Sequence, residues 1–215
     1  MALLSAGHFT MGPERGGNTA NDPLAVPAHD VSVAAFCIDL TETSEAQYRA
    51  CKSCGPPPPQ HGCSNGSTDL PAVCLSHSQA EKACRERSMR LPSEEEWEYA
   101  ARGKEGRPYP WGSRWPVSSL CVSDRGGGAP GDRCPVGTSK DDRTPEGVLD
   151  LEGNAKEWTR TVVCDARMKP CQNGFVLRGN SVSDVAPLEV VDARDVFDDR
   201  VVGFGFRCVA TPNEE

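Results

Sequence analysis

The sequence predicts a mixed α+β domain in which loops outweigh regular structure. The 215-residue chain holds 21 glycines and 18 prolines, which interrupt most stretches long enough for a helix. Its 11 cysteines are typical of a disulfide framework formed outside the cytosol. No linker or internal repeat divides the chain, so a single domain over residues 1–215 is expected.

Three helices are predicted by capping boxes, in which a serine is followed three residues later by Gln or Glu. In the third helix, acidic residues follow the serine at the positive end of the helix dipole, and an apolar stripe predicts one buried face. The boxes begin at Ser44, Ser76 and Ser93, and the helices are expected to end near Cys51, Arg87 and Gly103.

Strands are predicted where apolar residues alternate or cluster between turn residues. Residues 29–40 have partly alternating apolar character and are expected to form one strand. Shorter strands are expected at 175–178 and 206–209.

Charge and hydropathy exclude several classes of partner. The chain has 23 basic and 31 acidic residues, a net charge of −8, and so lacks the positive charge that binds nucleic acid or anionic membranes. No apolar run approaches the roughly 20 residues that cross a bilayer, so direct membrane insertion is not expected. The first residues lack the charged and apolar regions of a secretory signal. We therefore expect an extracellular or periplasmic segment of a longer chain.

Seven segments together resemble the formylglycine-generating enzyme (sulfatase-modifying factor) family. Their order and spacing along the chain are specific, although each is short. The resemblance implies a compact, loop-rich single domain related to C-type lectins, with little regular secondary structure. The segments are GHFTMG at 7–12, RLPSEEEWEYAARG at 90–103, YPWG at 109–112, PVG at 135–137, DLEGNAKEW at 150–158, LRGNS at 177–181 and GFR at 205–207.

The best-known members of this family oxidise a sulfatase cysteine to formylglycine with copper(I) held by two cysteines. By resemblance, those two positions fall at about Asp184 and Glu189. Copper(I) prefers soft sulfur to the hard oxygen of a carboxylate, and the sequence has no cysteine between Cys171 and Cys208. We therefore expect a pseudoenzyme without catalytic residues. The alternative is a formylglycine-generating type of oxidoreductase with relocated ligands.

The resemblance also implies a calcium site in the DLEGNAKEW segment. Its ligands would be the Asp150 side chain, the Gly153 and Ala155 carbonyls and the Glu157 side chain, a set of oxygens that calcium accepts. The alternative is that these acids are ordinary turn residues. A second family calcium site is expected to be lost, because Cys121 replaces an asparagine ligand.

Cysteine pairing follows partly from the resemblance, which implies a disulfide between Cys84 and Cys208. Proximity alone suggests the remaining pairs and leaves Cys37 as the odd cysteine. These pairs are Cys121–Cys134, Cys164–Cys171, Cys54–Cys63 and Cys51–Cys74.

Two other interpretations compete with disulfides near the first helix. One is a zinc site, suggested by a Cys-x-x-Cys spacing with histidines nearby. The other is a redox role for the same motif, against which the proline-rich surroundings argue. The zinc site would draw on Cys51, Cys54, Cys63, Cys74, His61 and His77.

The leading functional hypothesis is a non-catalytic module that binds a protein or small-molecule ligand through residues 180–204. This stretch occupies the substrate cleft of the family fold. It is compatible with the variable proteins that bacterial retroelements diversify, and a sensor or adhesion module of a larger protein is a further alternative. The predicted ligand residues are Val182, Ser183, Asp184, Glu189, Asp192, Asp195, Phe197 and Phe204.

Overall fold

A computed structural model confirms a loop-rich α+β fold. Its described part contains three α-helices and eight strands in three small sheets. No helix in that part is both long and apolar enough to cross a bilayer. The structure describes residues 1–13, 26–56, 67–114, 120–122, 133–165, 167, 170, 172–182, 184, 194–199 and 204–212.

All three helices begin where the capping boxes predict. At each start the serine hydroxyl accepts a backbone N–H three residues on, and the Gln or Glu at that position accepts the N–H of the serine. The first helix ends at Arg49, two residues before the expected end. The helices are α1 (Glu45–Arg49), α2 (His77–Glu86) and α3 (Glu94–Arg102).

The strands form three antiparallel sheets. The first has the order β1-β4-β8, the second pairs β2 with β3, and the third has the order β5-β6-β7. The strands are β1 (Ala2–Leu4), β2 (Gly7–Met11), β3 (His29–Val33), β4 (Phe36–Ile38), β5 (Glu157–Asp165), β6 (Gln172–Arg178), β7 (Arg194–Phe197) and β8 (Val209–Ala210).

Two strand predictions need correction. The single strand predicted over 29–40 is two strands, because β3 pairs with β2 whereas β4 pairs with β1 in another sheet. In the strand predicted at 206–209, only Val209 belongs to a strand. The carbonyls of Phe206 and Cys208 instead accept backbone N–H groups from the loop that follows β4.

Two large apolar cores lie near the start of β5. One surrounds Trp97 of α3, and the other surrounds Trp158 of β5; both indoles are fully buried. Ala100 and Ala101 share the buried face of α3 with Trp97, as the apolar stripe predicts. Burying two tryptophans supplies a large apolar area in a fold with few aromatic residues.

Two predicted disulfides are confirmed: the structure joins Cys84 to Cys208 and Cys121 to Cys134. Cys37 is free, as expected, but it is only half-buried on β4. The predicted bond between Cys164 and Cys171 cannot be placed, because Cys171 lies outside the described residues.

The predicted pairings near α1 are wrong, because Cys51 is bonded to Cys54 and not to Cys74. The chain turns after α1 and brings the Cα atoms of Cys51 and Cys54 within 5.6 Å. The predicted Cys54–Cys63 bond fails for the same reason. Two sulfurs bonded to each other are not thiolate ligands, so the zinc interpretation fails as well.

The environment of His77 also argues against the zinc interpretation. His77 is buried, with its ring stacked on Phe175 at a centroid distance of 3.5 Å. Its Nε2 lies 3.0 Å from the carbonyl oxygen of Thr159. Burial lowers the pKa of His77, as expected for an imidazole packed among aromatic rings. The remaining zinc candidates, His61 and Cys63, lie outside the described residues.

Candidate functional site

The candidate site centres on the turn at 150–157, which leads into β5. Arg207, fully buried, reaches across this turn and donates from Nε and Nη2 to the Glu157 carboxylate at 2.7–3.0 Å. Its Nη2 also donates to the carbonyls of Leu149 and Asp150, both at 2.9 Å. The second Glu157 oxygen accepts Trp97 Nε1 at 2.8 Å. The Arg207 guanidinium therefore ties the turn to β5, and Glu157 connects both to α3.

Further buried carboxyl groups surround this ion pair. Glu42 accepts the backbone N–H of Ala155 at 3.0 Å and the Asn154 amide at 2.8 Å. Burial raises the pKa of Glu42, and the nearby charges of Asp150 and Glu157 raise it further. Burial also raises the pKa of Asp142, to about 7. The site therefore gathers more buried acid than Arg207 alone neutralises.

A disulfide braces the outer side of the turn. The backbone N–H of Asn154 donates to the Cys121 carbonyl at 2.8 Å, and the Cys134 N–H donates to Asn154 Oδ1 at 3.0 Å. A Cβ atom at Gly153 would lie 2.7 Å from the Cys121 carbonyl oxygen, so only glycine fits there. The position at which the resemblance implies a second calcium ligand is thus occupied by a half of the Cys121–Cys134 disulfide.

The predicted calcium ligands all belong to this turn, but they are not equally available. Asp150 Oδ2 accepts the Gly137 N–H, whereas Asp150 Oδ1 is buried without a hydrogen-bond partner. Burial raises the pKa of Asp150. Both oxygens of Glu157 are occupied by Arg207 and Trp97. In the described part of the chain, no three His, Cys, Asp or Glu side chains form a group that could hold a metal ion.

Asp184, at about the position where the resemblance predicts the first copper cysteine, forms an ion pair. Asp184 lies 3.2 Å from Lys156 Nζ and accepts the Ser181 N–H and hydroxyl at 2.8 and 2.7 Å. Lys156 also donates to Asp195 of β7. Burial alone would lower the pKa of Lys156, but its bonds to Asp195 and Asp184 outweigh burial and raise it. The second copper position, Glu189, lies outside the described residues.

Lys156 is a site residue that the sequence reasoning missed. It follows Ala155 directly in the DLEGNAKEW segment, where it is the one basic residue. The signal that could have identified it is a single basic residue in a motif that the resemblance places at the site, together with the acidic residues predicted for the ligand surface. The structure brings it together with Asp184 and Asp195, which both belong to the predicted ligand surface.

Two other described residues of the predicted ligand surface, Phe197 and Phe204, belong to an aromatic cluster. The rings of Phe197 and Phe204 are 5.0 Å apart, and Phe204 packs edge-on against Trp158 at 5.2 Å. Val182 is buried at 5% exposure, so its side chain offers little surface to a ligand. Three other predicted ligand residues lie outside the described part: Ser183, Glu189 and Asp192.

Comparison with known proteins identifies the family. The family model of the sulfatase-modifying factor enzyme 1-like domain (FGE-sulfatase) matches residues 1–212. The chain belongs to this family. Among solved structures, PvdO from Pseudomonas aeruginosa has the same fold as this sulfatase-modifying factor domain, with a TM-score of 0.74 and 23% identity over 96% of this chain and 92% of PvdO.

Curated relatives include inactive and active family members. The "Inactive C-alpha-formylglycine-generating enzyme 2" of Mus musculus is 36% identical over 126 residues, which cover 55% of this chain and 39% of that protein. The "Formylglycine-generating enzyme" of Mycobacterium tuberculosis is 37% identical over 102 residues, 42% of this chain and 33% of that enzyme. The matched part of this sulfatase-modifying factor domain thus corresponds to less than half of either relative.

Proposed function

We propose that this chain is a non-catalytic binding module on a formylglycine-generating-enzyme scaffold. The observation that carries the proposal is the ion pair at the first copper position, where Asp184 binds Lys156 at 3.2 Å. A carboxylate held by a lysine ammonium is not a ligand for copper(I), which prefers thiolates. The match to relatives named as inactive supports the same conclusion.

The proposed recognition surface is built on the described parts of residues 180–204. Lys156, Asp184 and Asp195 form a charged group whose side chains are 18–27% exposed. The rings of Phe197 and Phe204 lie half-buried beside it. Charged and aromatic groups side by side suit a protein or small-molecule ligand that offers a polar edge and an apolar face.

The second candidate function is a protein-cysteine oxidase, favoured by 37% identity to a formylglycine-generating enzyme. To test both, the free thiols are first counted by alkylation and mass spectrometry. A sulfatase-type cysteine peptide is then offered with copper(I) and oxygen, with the mycobacterial enzyme as positive control. We expect no formylglycine from this chain. Any formylglycine product, or tight stoichiometric copper(I) uptake by the reduced protein, would overturn the binding-module proposal.

Calcium at the turn is a further part of the proposal. The partnerless, buried Asp150 Oδ1 fits a cation, whereas the Glu157 side chain remains with Arg207. Asp150 and the carbonyls of Gly153 and Ala155 would hold the ion, which would neutralise buried acid and rigidify the entry to β5. The role of calcium would be structural and not catalytic.

Calcium is expected to raise the melting temperature of the protein by about 5–10 °C when the ion is about 100-fold above its Kd. The matched variant is Asp150→Asn, because asparagine tolerates the positive φ of 57° at this position but removes the charge. Differential scanning calorimetry with calcium and with chelator measures both proteins. A wild-type melting temperature unchanged by chelation would contradict calcium binding. An equal increase in melting temperature with calcium in Asp150→Asn would show that the ion binds elsewhere.

The location of the protein and the origin of its ligand surface are also proposals. An extracellular or periplasmic location within a longer bacterial protein, and diversification of the ligand surface by a retroelement, both agree with the binding module. A nearby reverse-transcriptase gene with a template copy of residues 180–204 would support diversification, and its absence would indicate a fixed binding surface.

A further inference from the structure

The Cys-x-x-Cys bond after α1 is more exposed than the Cys84–Cys208 bond. Cys51 is half-buried and Cys54 is 7% exposed. Cys84 and Cys208 are both fully buried. A dissolved thiol can therefore reach Cys51, but it cannot reach Cys84 or Cys208 without local opening of the fold.

Cys51 also forms part of the wall of a cavity of about 230 Å³ between α1 and α2. Ala50 and Phe206 contribute apolar surface, and Glu86 and Arg87 contribute charged side chains. Arg87 is already paired with Asp39 through two bonds of 2.7 Å. The cavity thus adjoins the more exposed sulfur and has room for a side chain of a peptide.

The loop that carries the disulfide is anchored independently of the sulfur atoms. Ser53 donates to Glu86 at 2.5 Å, and the Tyr48 hydroxyl donates to the Gly55 carbonyl at 3.2 Å. These bonds hold both sides of the loop when the disulfide opens. Because the bond closes a loop of only three residues' separation, it restricts the unfolded chain much less than a bond across a long loop.

We propose that the Cys51–Cys54 disulfide is a thiol-exchange site, at which a peptidyl thiol enters the α1–α2 cavity and attacks Cys51. The incoming thiolate forms a bond to Cys51 Sγ, and the Cys51–Cys54 bond breaks. Cys54 leaves with the electron pair and takes a proton from water. The product is a mixed disulfide between the thiol peptide and Cys51.

A second thiolate completes the reaction. It attacks the peptide sulfur of the mixed disulfide, so that Cys51 leaves as a thiolate and the two external thiols are released as their disulfide. The protein gains two electrons and the two thiols lose two. The proposed co-reactant is a peptidyl thiol, and reduced glutathione, a tripeptide thiol, is the probe.

The first test is a redox titration of the full chain with reduced and oxidised glutathione, in a Cys37→Ser background that removes the free thiol. Differential alkylation and peptide mapping report each disulfide separately. We expect the equilibrium constant for reduction of Cys51–Cys54 by glutathione to be about 100-fold larger than that for Cys84–Cys208. Opening of both bonds at the same glutathione ratio would overturn the proposal.

The second test identifies the attacked sulfur with two matched variants in the same background. Cys54→Ser leaves the more exposed Cys51 thiol, whereas Cys51→Ser leaves the buried Cys54 thiol. With oxidised glutathione, we expect Cys54→Ser to form the mixed disulfide at least about tenfold faster. Equal rates, or faster reaction of Cys51→Ser, would overturn the assignment to Cys51. The titration of the unmutated pair stands independently if either variant fails to fold.

Discussion

Replacing Arg207 with methionine is expected to lower the free energy of unfolding by about 3–5 kcal/mol. The substitution removes the guanidinium that pairs with Glu157 and leaves that carboxylate buried without its cation. It also removes the donor to the Leu149 and Asp150 carbonyls. Arg207→Met therefore leaves one carboxylate and two backbone carbonyls without this donor.

Chemical denaturation of the wild type, Arg207→Met, Glu157→Gln and the double variant gives the coupling energy of the pair. The matched control is Arg85→Met, which breaks the exposed ion pair of Arg85 with Glu81 on α2. We expect the control to cost less than about 0.5 kcal/mol. If Arg207→Met cost no more than Arg85→Met, Arg207 would not be the residue that organises the turn.

The loss of folding stability caused by Arg207→Met should also depend on pH. In the wild type, Arg207 lowers the pKa of Glu42, against the stronger effect of burial, which raises it. Without Arg207, the folded-state pKa of Glu42 rises further above its unfolded value. A carboxyl group with a raised folded pKa favours folding at low pH and loses that contribution as pH rises. The variant should therefore lose less stability at pH 5 than at pH 8.

Local sequence signals predicted the helices well because their causes are local. The serines at 44, 76 and 93 cap their helices with side chains only three residues away. The strands were harder, because pairing depends on distant partners. β5 (Glu157–Asp165) gave no clear alternation, since its first three residues are all buried. The split between β3 and β4 arises from two different partner strands, which no local pattern records.

The site shows the same contrast between local and long-range causes. The resemblance located the turn at 150–157 and predicted that the copper thiols are replaced, because both follow from aligned motifs. It did not reveal that Arg207 and Glu42 meet the turn from 50 and 112 or more residues away. The Cys51–Cys54 bond was missed for a different reason. Several pairings of neighbouring cysteines are equally compatible with sequence spacing, and only the direction of the chain after α1 decides among them.

Removal of the Cys84–Cys208 disulfide is expected to have the other large effect on stability. This bond joins α2 to the residue before β8 across a sequence separation of 124. In the chain-entropy model, a loop of that length contributes about 5 kcal/mol to stability. Both sulfurs are fully buried in the core around Trp158, so a Cys84→Ala/Cys208→Ala variant also loses packing.

The other described disulfides supply matched controls for that measurement. The Cys121–Cys134 bond has a separation of 13, and its double alanine variant should lose about 3 kcal/mol in the same model. The Cys51–Cys54 bond has a separation of 3 and should lose about 2 kcal/mol. Urea denaturation of the three variants tests the order. If the Cys51–Cys54 variant lost the most stability, that bond would be a structural clamp and loop length would not govern the contributions of these disulfides.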